Sequence, residues 1–174
     1  MTAQKNTVES LETCGNLAYA YSSLHLSRPT KTFLKRASEL INHLPNLKIK
    51  SFIHLLKALN SVTSVEKTQF FQPILSYLDT HKDNLTLDEA LVSLHFLAIH
   101  SLQSTPQFAK LLSIVNTFYV DNALTEITPE QLELLQDIDM FLSLQNKTAK
   151  EQLSLSDHLQ YVIRTAQEAF KRRT

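Results

Sequence analysis

The side chains best suited to catalysis or metal binding are spaced unfavourably for either chemistry. His95 and His100 lie five positions apart, about 140° apart around a helix, whereas a helical metal pair needs i, i+4 spacing. Asp137 and Asp139 are two positions apart and point to nearly opposite sides of a helix. Cys14 is the single cysteine and has no histidine partner in a recognisable motif, so we expect it to be buried. The sequence therefore predicts no catalytic residue, no metal site and no cofactor, and we expect no enzymatic activity.

A second set of side chains could bind phosphate groups or a partner. Tyr21, Lys57 and His95 fall at one position of successive predicted helices, with sequence offsets of 36 and 38, and His54 lies beside Lys57. If the offset between the first two of these helices is also 38, Tyr19 rather than Tyr21 falls at this position. Aromatic rings stack on unpaired bases and ammonium groups bind phosphates, so this column is a candidate RNA or partner face. The alternative is a variable, solvated face.

The C-terminus carries a separate basic cluster, formed by Lys171, Arg172 and Arg173. Positive charge is favourable at the end of a helix, where it opposes the helix dipole. We include the cluster among the candidate RNA-binding or partner-binding residues. The alternative is a solvated helix end.

These candidate residues belong to a helix pattern that recurs along the chain. Its apolar side chains have i, i+3, i+6 spacing, and the two clearest copies are related by an offset of 38: Ile53, Leu56 and Leu59, then Leu91, Leu94 and Leu97. A second apolar helix follows each copy, at an offset of 37: Phe71, Ile74, Leu75 and Leu78, then Phe108, Leu111, Leu112 and Val115. A unit of this length holds two short helices that cannot bury their apolar faces alone, so neighbouring units must stack.

The repeat predicts an all-α fold, an α-solenoid of about four antiparallel helix-hairpin repeats with a C-terminal amphipathic helix. The offset between copies drifts from 36 to 41. We expect the whole chain to form a single helical-repeat domain, with repeats at approximately residues 11–46, 47–84, 85–124 and 125–155 and the last helix at 156–173.

The first predicted helix runs from Thr7 to Leu26 and fits the repeat less closely than the others. Its apolar residues can share one face, a stripe at an open end of the solenoid that we expect to contact a partner. They are Leu11, Leu17, Ala20 and Leu24.

Composition excludes several classes of function. Gly15 is the single glycine among 174 residues, so glycine-rich phosphate loops and nucleophile elbows are impossible.

Net charge is zero, with 17 basic and 17 acidic residues, which argues against a dedicated nucleic-acid binder and against adsorption to acidic membranes. Apolar runs are too short for a membrane span, which needs ~20 residues. Residues 1–10 resemble neither a secretory signal nor a transit peptide, so we expect any import signal to be absent from this chain or internal.

The repeat resembles one group of helical-repeat proteins. Leu85 through Ala98, LTLDEALVSLHFLA, and Leu47 through Leu59, LKIKSFIHLLKAL, are similar to the organellar repeats of octotricopeptide, heptatricopeptide and FAST-kinase-like proteins. The resemblance spans approximately residues 11–144 and does not extend to a RAP-type nuclease-like domain. The chain has no tryptophan, which excludes the tetratricopeptide pattern, whereas HEAT-type repeats remain an alternative.

The resemblance implies a function in organellar RNA metabolism or in mitochondrial ribosomes. We therefore expect a non-catalytic scaffold subunit of a mitochondrial ribonucleoprotein such as the mitoribosome. Protein partners would bind at the ends of the solenoid and RNA along one edge, within a larger assembly and without membrane contact. The alternative hypothesis is a protein–protein adaptor with no RNA contact, which the neutral net charge favours, in the cytoplasm if not in mitochondria.

Overall fold

The computed structural model describes residues 2–62, 67–121, 127–146 and 154–171, and all the regular structure in these ranges is helical. The predicted all-α class is thus confirmed. Two short 3-10 segments, Ile41–Asn46 and Lys82–Asn84, accompany the α-helices. The α-helices are α1 (Thr2–Ser23), α2 (Ser27–Glu39), α3 (Ile49–Ser61), α4 (Thr68–His81), α5 (Leu87–Ile99), α6 (Pro106–Asp121), α7 (Pro129–Asn146) and α8 (Asp157–Lys171).

The chain divides into two compact units, Met1–Leu85 and Thr86–Thr174, called here the first and second units. In the first unit α1 packs against α2 and α3, and α4 packs against the 3-10 segment Ile41–Asn46. In the second unit α5 packs against α6 and α7, and α8 packs against α6 and α7. No described helix is both long and apolar enough to cross a membrane.

A common register relates the second helix hairpin to the third. The start of α3 precedes the start of α5 by an offset of 38, and the starts of α4 and α6 are related by the same offset. Both predicted leucine-spaced triplets are buried, which confirms the i, i+3, i+6 pattern. In the following helices Phe70 and Phe108 are both fully buried, whereas Phe71 is only half-buried. Three of the four pairs predicted at an offset of 37 are buried in both helices: Ile74 and Leu111, Leu75 and Leu112, and Leu78 and Val115. Only the pair of Phe71 with Phe108 fails, because Phe70 fills the core position.

The same helix end recurs in α1 and α5. His25 and Ser101 each have a φ of 57°, a left-handed conformation that closes helices when the following amide bonds back five residues. Leu26 N–H donates to Tyr21 O at 2.9 Å, and Leu102 N–H donates to Leu97 O at 2.9 Å. The separation of His25 and Ser101 along the chain is twice the offset of 38, so the first and third hairpins keep one register.

The first helices of neighbouring hairpins run parallel within each unit. Side-chain contacts of α1 with α3, and with Lys48 just before α3, have sequence offsets of 35 to 38, and those between α5 and α7 have offsets of 42 or 43. A near-constant offset along two helices requires them to point the same way. Parallel first helices are expected of stacked helical repeats, whereas the solenoid arrangement of the complete chain stays a prediction.

The face of α1 that is buried is not the apolar stripe named from the sequence. Leu11, Cys14, Gly15 and Ala18 are buried, whereas Ala20 is exposed. Leu17 is only half-buried, and Leu24, which follows the last residue of α1, is 66% exposed. The predicted burial of Cys14 is confirmed. Gly15 and Ala18 were not predicted to be core residues, because apolar periodicity gives little weight to small side chains.

Gly15 allows α1 to approach α3 closely. A Cβ atom at this position would lie 3.4 Å from Ser51 O and 3.6 Å from Leu55 Cβ. These are van der Waals contacts, and alanine in a helix is about 0.5–1 kcal/mol more favourable than glycine. We expect Gly15→Ala to raise the free energy of unfolding by up to that amount and Gly15→Leu to lower it by about 1–3 kcal/mol through overpacking. Urea denaturation of both variants tests the contact, which equal stabilities would contradict.

Candidate nucleic-acid interface

Charge is distributed unequally between the two units. The first unit contains ten lysines and arginines against six aspartates and glutamates, whereas the second contains seven against eleven. The neutral total therefore combines a unit of net charge +4 with one of net charge −4. Such asymmetry between halves is typical of proteins that bind polyanions through one half.

Several basic side chains of the first unit lie together at the surface where α1 and α3 are side by side. We call this surface the α1–α3 edge. Lys50, His54 and Lys57 share one face of α3 because they have i, i+4, i+7 spacing. Lys50 is exposed, and His54 and Lys57 are half-buried. The other members of the edge are Lys48 of the preceding loop and Glu12, Asn16 and Tyr19 of α1.

Contacts between the helices fix the side chains in the middle of the edge. The rings of Tyr19 and His54 stack with centroids 4.4 Å apart and planes 17° from parallel. Lys57 Nζ lies 5.8 Å from the centroid of the Tyr19 ring, within cation–π range. His54 Nδ1 donates a hydrogen bond to Asn16 Oδ1 at 2.8 Å. The edge is therefore partly organised before any ligand binds.

Lysines rather than histidine supply the positive charge of this edge. Burial lowers the pKa of His54, and the charges of Lys50 and Lys57 lower it further. The shift favours the neutral form of the imidazole. Lys48, whose side chain is 79% exposed, pairs with Glu12 at 3.3 Å. The Glu12 side chain is only 15% exposed, so its carboxylate is partly shielded from water while the Lys48 side chain remains open to solvent.

Tyr21 does not belong to the α1–α3 edge. Its ring stacks on Phe33 of α2, with centroids 5.6 Å apart and planes 6° from parallel. The structure instead places Tyr19 beside Lys57, which is the arrangement expected if the first offset is 38. The offset of 36 that selected Tyr21 is wrong at this position.

His95 lies in the second unit and has an acidic partner. Its Nε2 is 3.0 Å from Asp137 Oδ2, and its side chain is only 12% exposed. Gln131 Nε2 donates to Asp88 Oδ1 at 2.7 Å between the same two helices. The parallel pair α5 and α7 thus carries carboxylates and amides where α1 and α3 carry lysines. We do not group His95 with the α1–α3 edge.

The remaining predicted site residues add no described contact. Lys171 is the last residue of α8, and Arg172 and Arg173 lie outside the described residues.

Cys14 is buried, and burial raises the pKa of its thiol. The charge of Arg36 lowers this pKa by less, and the charge of Glu39 raises it further. Across the described ranges there is no group of three or more histidine, cysteine or acidic side chains that could hold a metal ion.

Comparisons with known proteins place the chain in no family. No protein-family model matches it, and neither the curated proteins nor the solved structures yield a significant match. The resemblance to organellar helical repeats therefore stays a prediction from apolar spacing. Functional inference depends on the chemistry of the surfaces described above.

Proposed function

We propose that the protein is a non-catalytic helical-repeat subunit of a ribonucleoprotein, and that the α1–α3 edge contacts the RNA backbone. The observation that carries the proposal is the charge distribution: a unit of net charge +4 with Lys48, Lys50 and Lys57 on one edge. Lysine ammonium groups bind phosphates and release condensed counterions, which drives association with any RNA strand.

The arrangement of the rings favours phosphate contact over base recognition. Tyr19 and His54 stack on each other, and Asn16 occupies Nδ1 of His54. A base that stacked between the two rings would have to break their contact. We therefore infer sequence-independent binding, which suits a scaffold that positions RNA within a larger assembly. The organellar setting, a mitochondrial ribonucleoprotein such as the mitoribosome, depends on the resemblance of the repeats alone.

A second candidate function is a protein–protein adaptor without RNA contact. It is favoured by the interactions that already satisfy part of the edge, namely the Lys48–Glu12 ion pair and the Tyr19–His54 stack. An adaptor of this kind would bind an acidic protein surface through Lys50 and Lys57. The two functions differ in whether the edge binds a phosphate backbone.

Fluorescence anisotropy with a labelled single-stranded RNA of mixed sequence distinguishes these functions. We expect Lys50→Glu to weaken RNA binding about ten-fold, because it removes one phosphate contact and adds repulsion. The matched control is Lys110→Glu, which makes the same charge change at an exposed position of α6 in the second unit. We expect it to change the affinity less than about two-fold.

Two outcomes would overturn the RNA-binding proposal. If the wild-type chain does not bind RNA at low salt, the adaptor function is favoured. If the two variants weaken binding equally, the affinity reflects net charge and the α1–α3 edge has no special role. Circular dichroism of both variants checks that the exposed substitutions leave the helices intact.

A further inference from the structure

A groove between α7 and α8 in the second unit has the features of a binding site. Its volume is about 230 Å³. Met140 of α7 and Ile163 of α8 line it with apolar side chains. Ile163 is almost fully buried, whereas Met140 is 50% exposed, so the groove opens onto solvent above an apolar floor. This space can receive one large apolar side chain of a partner.

Polar groups surround this floor on both helices. Gln136 of α7 and Gln160 and Gln167 of α8 line the groove, and each carboxamide can donate and accept hydrogen bonds. Asp139 and Arg164 supply one charge of each sign. Met140 and Ile163 thus form a small apolar patch within a mainly polar lining, and apolar patches ringed by polar groups are usual at protein–protein contact surfaces.

Exposed apolar side chains extend the surface beyond the groove. Leu144 follows Met140 by one helical turn on α7 and is 56% exposed. Tyr161 lies on α8, three residues before Arg164, and is 67% exposed. Residues at i and i+4 share a helix face, so Gln136, Met140 and Leu144 form one stripe along α7. Large exposed apolar side chains grouped in this way indicate a partner.

The charge of the two helices that form the groove indicates which partner would fit. The second unit has a net charge of −4, and its exposed acidic residues include Glu130 and Glu133 on α7 and Asp157 and Glu168 on α8. This charge disfavours RNA and favours a cationic protein segment. A helix that lies along the furrow between two helices can place one apolar stripe on Met140 and Leu144 and its basic residues against the carboxylates.

We propose that the α7–α8 groove binds a basic amphipathic helix of a protein partner. One large apolar side chain of that helix occupies the space above Met140 and Ile163, and its lysines or arginines pair with exposed carboxylates of α7 and α8. The proposal is independent of RNA binding, because it concerns side chains of the second unit alone. It gives the protein a protein-binding surface chemically opposite to the lysine-bearing α1–α3 edge.

The test uses the full chain and a fluorescein-labelled synthetic helix with a leucine stripe and lysines on its other faces. Anisotropy titrations compare Met140→Lys with Val120→Lys. Both variants add one positive charge at an exposed apolar residue of the second unit, but Val120 lies on α6 and does not line the groove. We expect Met140→Lys to weaken binding about ten-fold or more and Val120→Lys to weaken it less than about three-fold.

Equal weakening by the two variants would overturn the proposal, since binding would then follow net charge alone. Failure of the wild-type chain to bind the basic helix would also overturn it. So would concentration-dependent self-association that Met140→Lys abolishes in sedimentation velocity, because the occupant would then be a second copy of the chain. The first-unit variant Lys50→Glu separates the two proposals, because we expect it to bind the basic helix with unchanged affinity.

Discussion

Replacing Phe52 with alanine is expected to lower the free energy of unfolding of the first unit by about 3–5 kcal/mol. Phe52 is fully buried, and its ring stacks on Tyr77 of α4 with centroids 4.0 Å apart. Tyr77 in turn donates its hydroxyl proton to Leu47 O at 2.9 Å. Loss of the Phe52 ring would leave a cavity and remove one side of this buried cluster, which joins α3, α4 and the loop before α3.

Urea denaturation followed by circular dichroism measures the loss. The control within the first unit is Leu24→Ala, because Leu24 is 66% exposed and its truncation should change stability by less than about 0.5 kcal/mol. A loss of under about 1 kcal/mol in Phe52→Ala would contradict the described core. The two compact units can unfold separately, so the transitions should be fitted without assuming a single cooperative step.

Tyr119 is expected to make stability depend on pH in the alkaline range. Its side chain is 1% exposed, and among the described residues its hydroxyl has no hydrogen-bond partner. Burial raises the pKa of Tyr119 to about 12, and the Asp88 carboxylate acts in the same direction. An unfolded tyrosine has a pKa of about 10. The unfolded chain therefore loses this proton first, so stability present below about pH 10 falls as pH rises towards 12.

The effect of Tyr119 is measured by comparing the wild type with Tyr119→Phe. Between about pH 9 and pH 12 the wild type should lose about 2 kcal/mol more than the variant, which has no phenol to ionise. At neutral pH the variant should be as stable as the wild type or slightly more stable, because a buried hydroxyl with no partner costs desolvation energy. Tyr161→Phe, at a 67% exposed position, serves as the control. Identical pH profiles for wild type and Tyr119→Phe would exclude the effect.

Apolar spacing predicted those helices whose cores consist of large side chains. The triplets at Ile53 and Leu91 are buried as expected, and their offset of 38 matches the starts of α3 and α5. The spacing of apolar residues did not predict the buried face of α1, which includes Gly15 and Cys14. Small residues matter there because they permit a close approach between helices, which hydrophobicity does not measure. Phe70 and Phe71 are adjacent, so only packing could decide which of them is buried.

The candidate site was predicted only in part. His54 and Lys57 were recognised from their position on α3, but Tyr21 was selected in place of Tyr19 because an offset of 36 replaced one of 38. The opposite charges of the two units were missed because charge was counted over the whole chain. The α7–α8 groove could not be predicted from the repeat. Its glutamines come from two helices that begin at Pro129 and Asp157, and this separation is shorter than the repeat period.

The salt dependence of RNA affinity tests the central claim, that lysines of the α1–α3 edge bind phosphates. Each phosphate contact to a single strand contributes about −0.7 to the slope of log affinity against log salt. If Lys48, Lys50 and Lys57 each bind one phosphate, the wild-type slope should be about −2, and Lys50→Glu should make it shallower by about 0.7 or more. A wild-type slope near zero, or a slope that Lys50→Glu leaves unchanged, would contradict the claim.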